Sequence, residues 1–153
     1  MNALEHKIPP PVILIFTGTA MWVLARYTFT WHLPFTLKLI AILSFLAIAF
    51  FFGPPAIMNF RKHKTTIDPV RIERASNLVT SGPFNFSRNP MYFSMLALLF
   101  AWLVYLAAPW AMLGPIFFEV YILVFQIWPE ERAMHDKFGA NYLTYAQKVR
   151  RWI

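Results

Sequence analysis

The chain of 153 residues contains no cysteine and unusually few charged residues. Without cysteine it forms no disulfide, no thiolate nucleophile and no Cys-ligated zinc site. Its four histidines lack the spacing of metal ligands, so we predict no metal site: His6, His32, His63 and His135. Charged residues make up 14% of the chain and hydrophobic residues 58%, which is too apolar for an ordinary soluble domain. At this length we expect a single domain, 1–153.

The few charges carry a net charge of +7, a value that also occurs in nucleic-acid-binding proteins. Here, however, the lysines and arginines stand at the edges of apolar runs and do not form one polar face. That placement is typical of proteins that lie in a lipid bilayer. We therefore predict a lipid bilayer as the chain's surroundings and no nucleic acid partner.

Four apolar runs have about the length of a membrane-spanning helix. They are residues 12–29, 35–60, 90–106 and 109–128. Only Ala107 and Ala108 separate the last two runs, which predicts a tight antiparallel hairpin. The sequence thus predicts an all-α polytopic membrane protein with about four transmembrane helices and short cytoplasmic helices at the C-terminus.

The second run is interrupted by Gly53-Pro54-Pro55. Proline inside a helix removes an amide donor and clashes with the preceding turn. One interpretation is a kink or break at this point, which membrane proteins tolerate where the freed carbonyls face protein or water. The other is that the helix ends at Phe52.

Two polar segments flank the later spans. In the first, Asp68-Pro69 predicts a short helix over residues 70–75. In the second, Pro129 predicts the start of a surface helix, Gly139 its end, and Asn141 the cap of a last helix. With four spans both basic segments share one side, and the positive-inside rule makes that side cytoplasmic.

The stretch from Ser81 to Tyr92 joins the basic loop to the third span. Pro90 suits the first position of a helix, and Asn89 would then be its N-cap. Arg88 and Tyr92 would lie at a helix N-terminus that can hold a carboxylate-bearing ligand. The alternative is a well-capped helix start with an interfacial arginine and tyrosine.

Glu119 falls in the middle of the fourth span. A carboxylate at that depth is expensive and usually belongs to a site or is paired inside the bundle. We therefore include it as a candidate substrate residue. The alternative is a protonated glutamate bonded to a neighbouring helix.

Several motifs together resemble the isoprenylcysteine carboxyl methyltransferase and phospholipid methyltransferase family, over residues 65–153. They are Gly82-Pro83-Phe84, Arg88-Asn89-Pro90-Met91-Tyr92, Glu130-Glu131, Phe138-Gly139, Tyr142, Tyr145 and Val149-Arg150-Arg151-Trp152. The resemblance implies a membrane enzyme that moves a methyl group from S-adenosylmethionine to an amphiphilic or lipid-like acceptor. One departure is Asn89, which stands where the better-known members have histidine.

The resemblance also implies roles for individual residues. Catalytic roles fall to Arg88, Asn89, Tyr92 and Glu131. Cofactor contacts fall to Gly82, Phe84, Arg88, Pro90, Tyr92, Glu130, Glu131 and Tyr142. Acceptor contacts fall to Arg150 or Arg151. The site would face the cytoplasm, in a membrane that we expect to be a bacterial inner membrane.

Two other classes of function stay open on the sequence. Sterol reductases of the lamin B receptor type share a similar C-terminal architecture, but they are much larger and bind a nicotinamide cofactor. A small polytopic membrane protein without enzymatic activity is the second class. Binding of S-adenosylmethionine discriminates among the three.

Overall fold

A computed structural model of the chain describes residues 7–62 and 77–153. Within these residues every regular element is helical and there is no strand, which confirms the all-α prediction. The helices are α1 (Pro10–Tyr27), α2 (Phe35–Lys62), α3 (Pro90–Leu106), α4 (Leu113–Ile122), α5 (Trp128–Phe138) and α6 (Ala140–Lys148). The short helix expected over residues 70–75 lies outside the described residues.

Three stretches are long and apolar enough to cross a membrane, namely α1, α2 and the continuous helical stretch Pro109–Phe138. Helix α3 is also apolar but has 17 residues. At about 1.5 Å per residue it extends roughly 26 Å, close to the ~30 Å of a bilayer's hydrocarbon core. These elements match the four predicted spans, and the chain is an integral membrane protein.

Helix α2 continues through Pro54 and Pro55 and ends only at Lys62, so the alternative that it ends at Phe52 is wrong. Helix α3 packs closely along α2 at this level. The Ser94 hydroxyl of α3 donates to the Ala49 carbonyl at 2.9 Å. A Cβ atom at Gly53 would lie 2.5 Å from the Ser94 Oγ, so the glycine permits this close approach.

The sequence predicted that Pro129 begins a separate surface helix. In the structure it lies inside the continuous helical stretch Pro109–Phe138. A π-helical turn, Leu123–Ile127, immediately precedes α5. Its wider bonding pattern accommodates the proline ring, which would clash with a regular preceding turn. Gly139 ends α5 as expected, with a φ of 50°. Asn141 lies within α6 and is not its cap.

The order of the helices determines which segments meet. Ala107, with a φ of 51°, connects α3 to the short 3₁₀ turn Pro109–Met112 that leads into α4. Because the spans alternate in direction, the end of α2, the start of α3 and the helices α5 and α6 lie at the same end of the bundle. We call this the polar end. The α1–α2 connection and Ala107 lie at the other end, where the Trp31 amide donates to the Ala107 carbonyl at 2.6 Å.

Candidate active site

A short turn, Gly82–Asn85, holds the segment before α3 against the end of α2. Gly82 has a φ of 62°, and an added Cβ atom would lie 2.5 Å from the Asn59 Nδ2. That Nδ2 donates to the Ser81 carbonyl at 2.8 Å. The buried Phe84 ring packs edge-on against Phe60 with 5.1 Å between centroids. Glycine is needed here both for its backbone conformation and for the space.

The C-terminal tail returns to the start of α3. The Arg88 amide donates to the Arg150 carbonyl at 3.0 Å. The Ser87 hydroxyl and the Asn89 Nδ2 donate to the Arg151 carbonyl at 3.3 and 3.0 Å. Asn89 stands at the N-cap position, but its side chain makes no capping bond to α3. The capping prediction was therefore wrong for this side chain, which ties the tail to the bundle.

Glu131 lies between two arginines that are far apart in the sequence, Arg88 before α3 and Arg151 in the C-terminal tail. Arg151 binds it with two bonds, Nε to Oε1 at 3.0 Å and an Nη2 to Oε2 at 2.7 Å. The Arg88 Nη2 lies 3.1 Å from Oε1. These bonds to Glu131 raise the pKa of Arg151. The side chains of Arg88 and Glu131 are 15% and 19% exposed, so this pair is shielded from water more than a surface pair is.

Glu130, the preceding residue, has a different partner. The Tyr92 hydroxyl donates to its Oε1. Consecutive residues of an α-helix point about 100° apart, so α5 directs its two glutamates to different neighbours. Glu131 is held by cations, whereas Glu130 is held by a phenol at the start of α3.

Two tyrosines of α6 complete the polar end. The Arg88 Nη1 donates to the Tyr142 hydroxyl at 3.3 Å, and the Tyr145 hydroxyl donates to the Phe84 carbonyl at 2.7 Å. Burial raises the pKa of both tyrosines, and the charge of Glu131 raises that of Tyr142 further. Both phenols are therefore neutral at physiological pH.

A cavity of about 90 Å³ lies among these groups. Its walls combine apolar and charged side chains: Phe60, Leu78, Val79, Phe84, Arg88, Asn89, Glu130, Glu131, Met134, Tyr142 and Tyr145. The buried Arg88 Nε lacks a hydrogen-bond partner among the described residues. Pockets for small molecules usually measure about 300–1,000 Å³, so a cofactor-sized ligand requires that these walls move apart.

The structure brings together most residues that the sequence had singled out. Phe84, Arg88, Asn89, Glu130, Glu131 and Tyr142 line the cavity. Tyr92 and Arg151 reach it through their bonds to the two glutamates, and Gly82 and Pro90 shape the backbone beside it. Arg150 contributes its carbonyl, and the residue itself is exposed. Among the described residues no group of acidic or histidine side chains is arranged to hold a metal ion.

Glu119 is the predicted site residue that the structure places elsewhere. It lies on α4, and its exposed side chain has no hydrogen bond or ion pair with residues 7–62 or 77–153. The expectation of a partner inside the bundle is not met there. An all-apolar helix gives no periodicity from which the face of a single polar residue could be read.

Sequence reasoning missed four residues that line the cavity, Phe60, Leu78, Val79 and Met134, and it quoted Tyr145 as part of a motif without giving it a role. Met134 and Tyr145 could have been assigned to the site from helical spacing. Met134 follows Glu130 by four positions, and Tyr145 follows Tyr142 by three. Phe60 could not, because its position depends on α2 continuing past two prolines.

Comparisons with known proteins identify the family of the chain. The sequence profile described as phospholipid methyltransferase matches residues 37–141. An uncharacterized protein of Haemophilus influenzae is 48% identical over 63 residues, which is 41% of this chain and all of that protein. No solved structure matches the chain. The matched residues extend from α2 to α6 and include both glutamates and Arg88, and the chain belongs to the phospholipid methyltransferase family.

Proposed function

We propose that the chain transfers a methyl group from S-adenosylmethionine to an amphiphilic or lipid-like acceptor at the cytoplasmic face of the membrane. Membership of the family supports methyl transfer. The observation that carries the location is the cavity at the polar end. There the buried Arg88 Nε, which has no hydrogen-bond partner within residues 7–62 and 77–153, shares the walls with two carboxylates and two tyrosines.

The groups around this cavity fit the parts of the cofactor. The Arg88 Nε, which is unbonded among the residues that the structure describes, can donate to the cofactor's carboxylate, and charge-assisted bonds of this kind are the stronger ones. Glu130 and Glu131 suit its ammonium or its ribose hydroxyls. Phe84 and the tyrosine rings of α6 suit the adenine by stacking and the sulfonium by cation–π attraction. When bound, the cofactor supplies an electrophilic methyl group.

The protein's contribution to such a transfer is orientation and electrostatics. Arg88, just before α3, and Glu131, on α5, are set in place by their bond to each other and by bonds to Tyr142 of α6 and Arg151 of the tail. A side chain held in this way loses little freedom when a ligand arrives. Tyr92 keeps Glu130 directed at the same region. The apolar walls exclude water and strengthen each polar contact within the cavity.

The acceptor is expected to be amphiphilic because the cavity lies where apolar spans meet the polar end. Phe60 and Phe84 line its apolar side, and they belong to the end of α2 and to the turn before α3. A headgroup could reach the charged wall while its chain stays in lipid. We place this protein in a bacterial inner membrane, and the relative from Haemophilus influenzae supports the bacterial part of that proposal.

The orientation can be tested with reporter fusions. We expect a reporter after Ile153 and one in the Ala107-Ala108 connection to give opposite signals, with the C-terminus cytoplasmic. Equal signals at both positions would contradict a single span between Ala108 and Ile153 and so the predicted number of spans.

Activity is tested by incubating the purified full-length chain with methyl-labelled S-adenosylmethionine and a bacterial lipid extract. We expect label in an organic-soluble product, and none with heat-treated protein. An absence of labelled product with saturable cofactor binding would reject the acceptor class. An absence of both would reject the proposed function.

A further inference from the structure

Glu119 lies on the membrane-facing surface of α4, close to the middle of the bilayer. It lies ten positions after Pro109 and nine positions before Trp128, or about 15 Å and 14 Å at the helical rise. Trp110 and Trp128 are both exposed, at 55% and 43%. Tryptophans in such positions mark the two interfaces of a membrane.

The surface around Glu119 is otherwise apolar. Ile116 and Val120 of α4 are exposed beside it, as is Met112 in the turn that leads into α4, at the spacing that lines one helical face. Phe117 extends this surface onto α1, because its ring lies 6.4 Å from that of the exposed Phe16. We call this surface the Glu119 face. A lone carboxyl group facing lipid at this depth is costly.

We propose that the Glu119 face binds the same face of a second copy of this chain, with a hydrogen bond between the two Glu119 carboxyl groups. A two-fold axis places a residue opposite itself when the residue lies near the axis. A carboxyl group offers both a donor and an acceptor when it holds its proton. It therefore complements its own copy at the same depth.

The apolar remainder of the face favours a second copy over a partner with charges of its own. Met112, Ile116 and Val120 provide no counterpart for a charged or polar helix. Against an identical surface they pack as apolar side chains around one polar contact. Interhelical contacts of this composition hold membrane helices together. The proposal does not depend on methyl transfer, because the Glu119 face and the cavity share no residue.

The first test uses the absence of cysteine from the chain. Ile116→Cys introduces a single thiol one turn from Glu119 and leaves the glutamate intact. Leu43→Cys, at an exposed apolar position of α2, is the matched control. Both full-length variants are placed at low density in phosphatidylcholine vesicles and oxidised. We expect at least roughly tenfold more covalent dimer from Ile116→Cys. Equal yields would overturn the proposed interface.

The second test asks whether Glu119 itself makes the contact. In the Ile116→Cys background, Glu119→Gln keeps a donor and an acceptor, whereas Glu119→Leu removes both. We expect the Gln variant to give as much covalent dimer as its parent. We expect the Leu variant to give roughly tenfold less. Leucine favours membrane insertion, so misfolding is not expected to cause that loss. Undiminished dimer in the Leu variant would overturn the hydrogen-bonded contact.

Discussion

The two ends of the helical bundle both carry cations, but the cations have different kinds of partner. At the end where α1 meets α2, the Arg26 guanidinium lies 4.9 Å from the centre of the Trp22 ring. The Lys38 ammonium lies 5.3 Å from that of Tyr105. A ring face attracts any cation and requires no fixed geometry. These residues anchor the helices in the membrane interface.

At the polar end, the cations bind a carboxylate through defined bonds. Arg151 grips Glu131 with two of its nitrogens, and Arg88 reaches the same carboxylate while it also donates to Tyr142. The planar fork of arginine matches this geometry and the ammonium of lysine does not. The charge and length of a side chain therefore suffice at the α1–α2 end, whereas the polar end needs the shape of the arginine side chain. The predictions below probe that contrast.

The largest effect is expected from Glu131→Gln. This change removes the charge that Arg88 and Arg151 share, and hydrogen bonds to charged groups contribute about 1.5–3 kcal/mol. We expect S-adenosylmethionine to bind about 10- to 100-fold more weakly. The measurement is equilibrium binding of labelled cofactor to the detergent-solubilised, folded variant.

Asp136→Asn is the matched control for that change, because Asp136 lies on the same helix with its side chain 83% exposed. We expect it to leave cofactor affinity unchanged. If Glu131→Gln behaves like Asp136→Asn, the bonds of Glu131 to Arg88 and Arg151 play no part in cofactor binding.

The next effect is expected from Arg88→Lys. The variant keeps the charge but loses the fork, so we expect methyl transfer to fall at least about tenfold, or roughly 1.4 kcal/mol of transition-state stabilisation. Turnover of labelled S-adenosylmethionine is the measurement, with thermal unfolding beside it. Arg26→Lys, at the other end of the bundle, should leave this turnover nearly unchanged. Similar turnover in the two variants would contradict the claim that only the polar end needs the shape of arginine.

The smallest effect is expected from Tyr92→Phe, which removes the hydroxyl that donates to Glu130. Loss of one such bond should lower the free energy of unfolding by about 1–1.5 kcal/mol. Tyr105→Phe is the control at the other end, where the tyrosine is 56% exposed. Thermal midpoints of the two variants in the same detergent measure the difference. An equal midpoint would show that the bond to Glu130 contributes no stability.

Much of the fold could be predicted because span length and apolar composition are read directly from the sequence. The start of α2 at Phe35 and both ends of α3 agree with the prediction. The continuation of helices through Pro54, Pro55 and Pro129 could not be predicted. It depends on tertiary packing by α3 and on a π-helical turn, which local propensity does not contain.

The sequence predicted most of the residues that form the site, but it did not predict which of their side chains bond to each other. Charge and topology put Arg88, Glu131 and Arg151 at one end of the bundle. Which glutamate the arginines bind depends on the rotation of α5. The return of the tail to Ser87 and Asn89 depends on backbone carbonyls, which every residue has. No sequence pattern distinguishes those bonds.

The location of the cofactor can be tested without any substitution, by irradiating the chain with labelled S-adenosylmethionine and cleaving it after methionine. The polar end contributes to the fragments 59–91, 92–95, 113–134 and 135–153. Unlabelled cofactor in excess is the control for specific labelling. We predict that competable label lies in one or more of these fragments. Competable label confined to fragments 2–21, 22–58 or 96–112 would contradict a cofactor site built on Arg88 and Glu131.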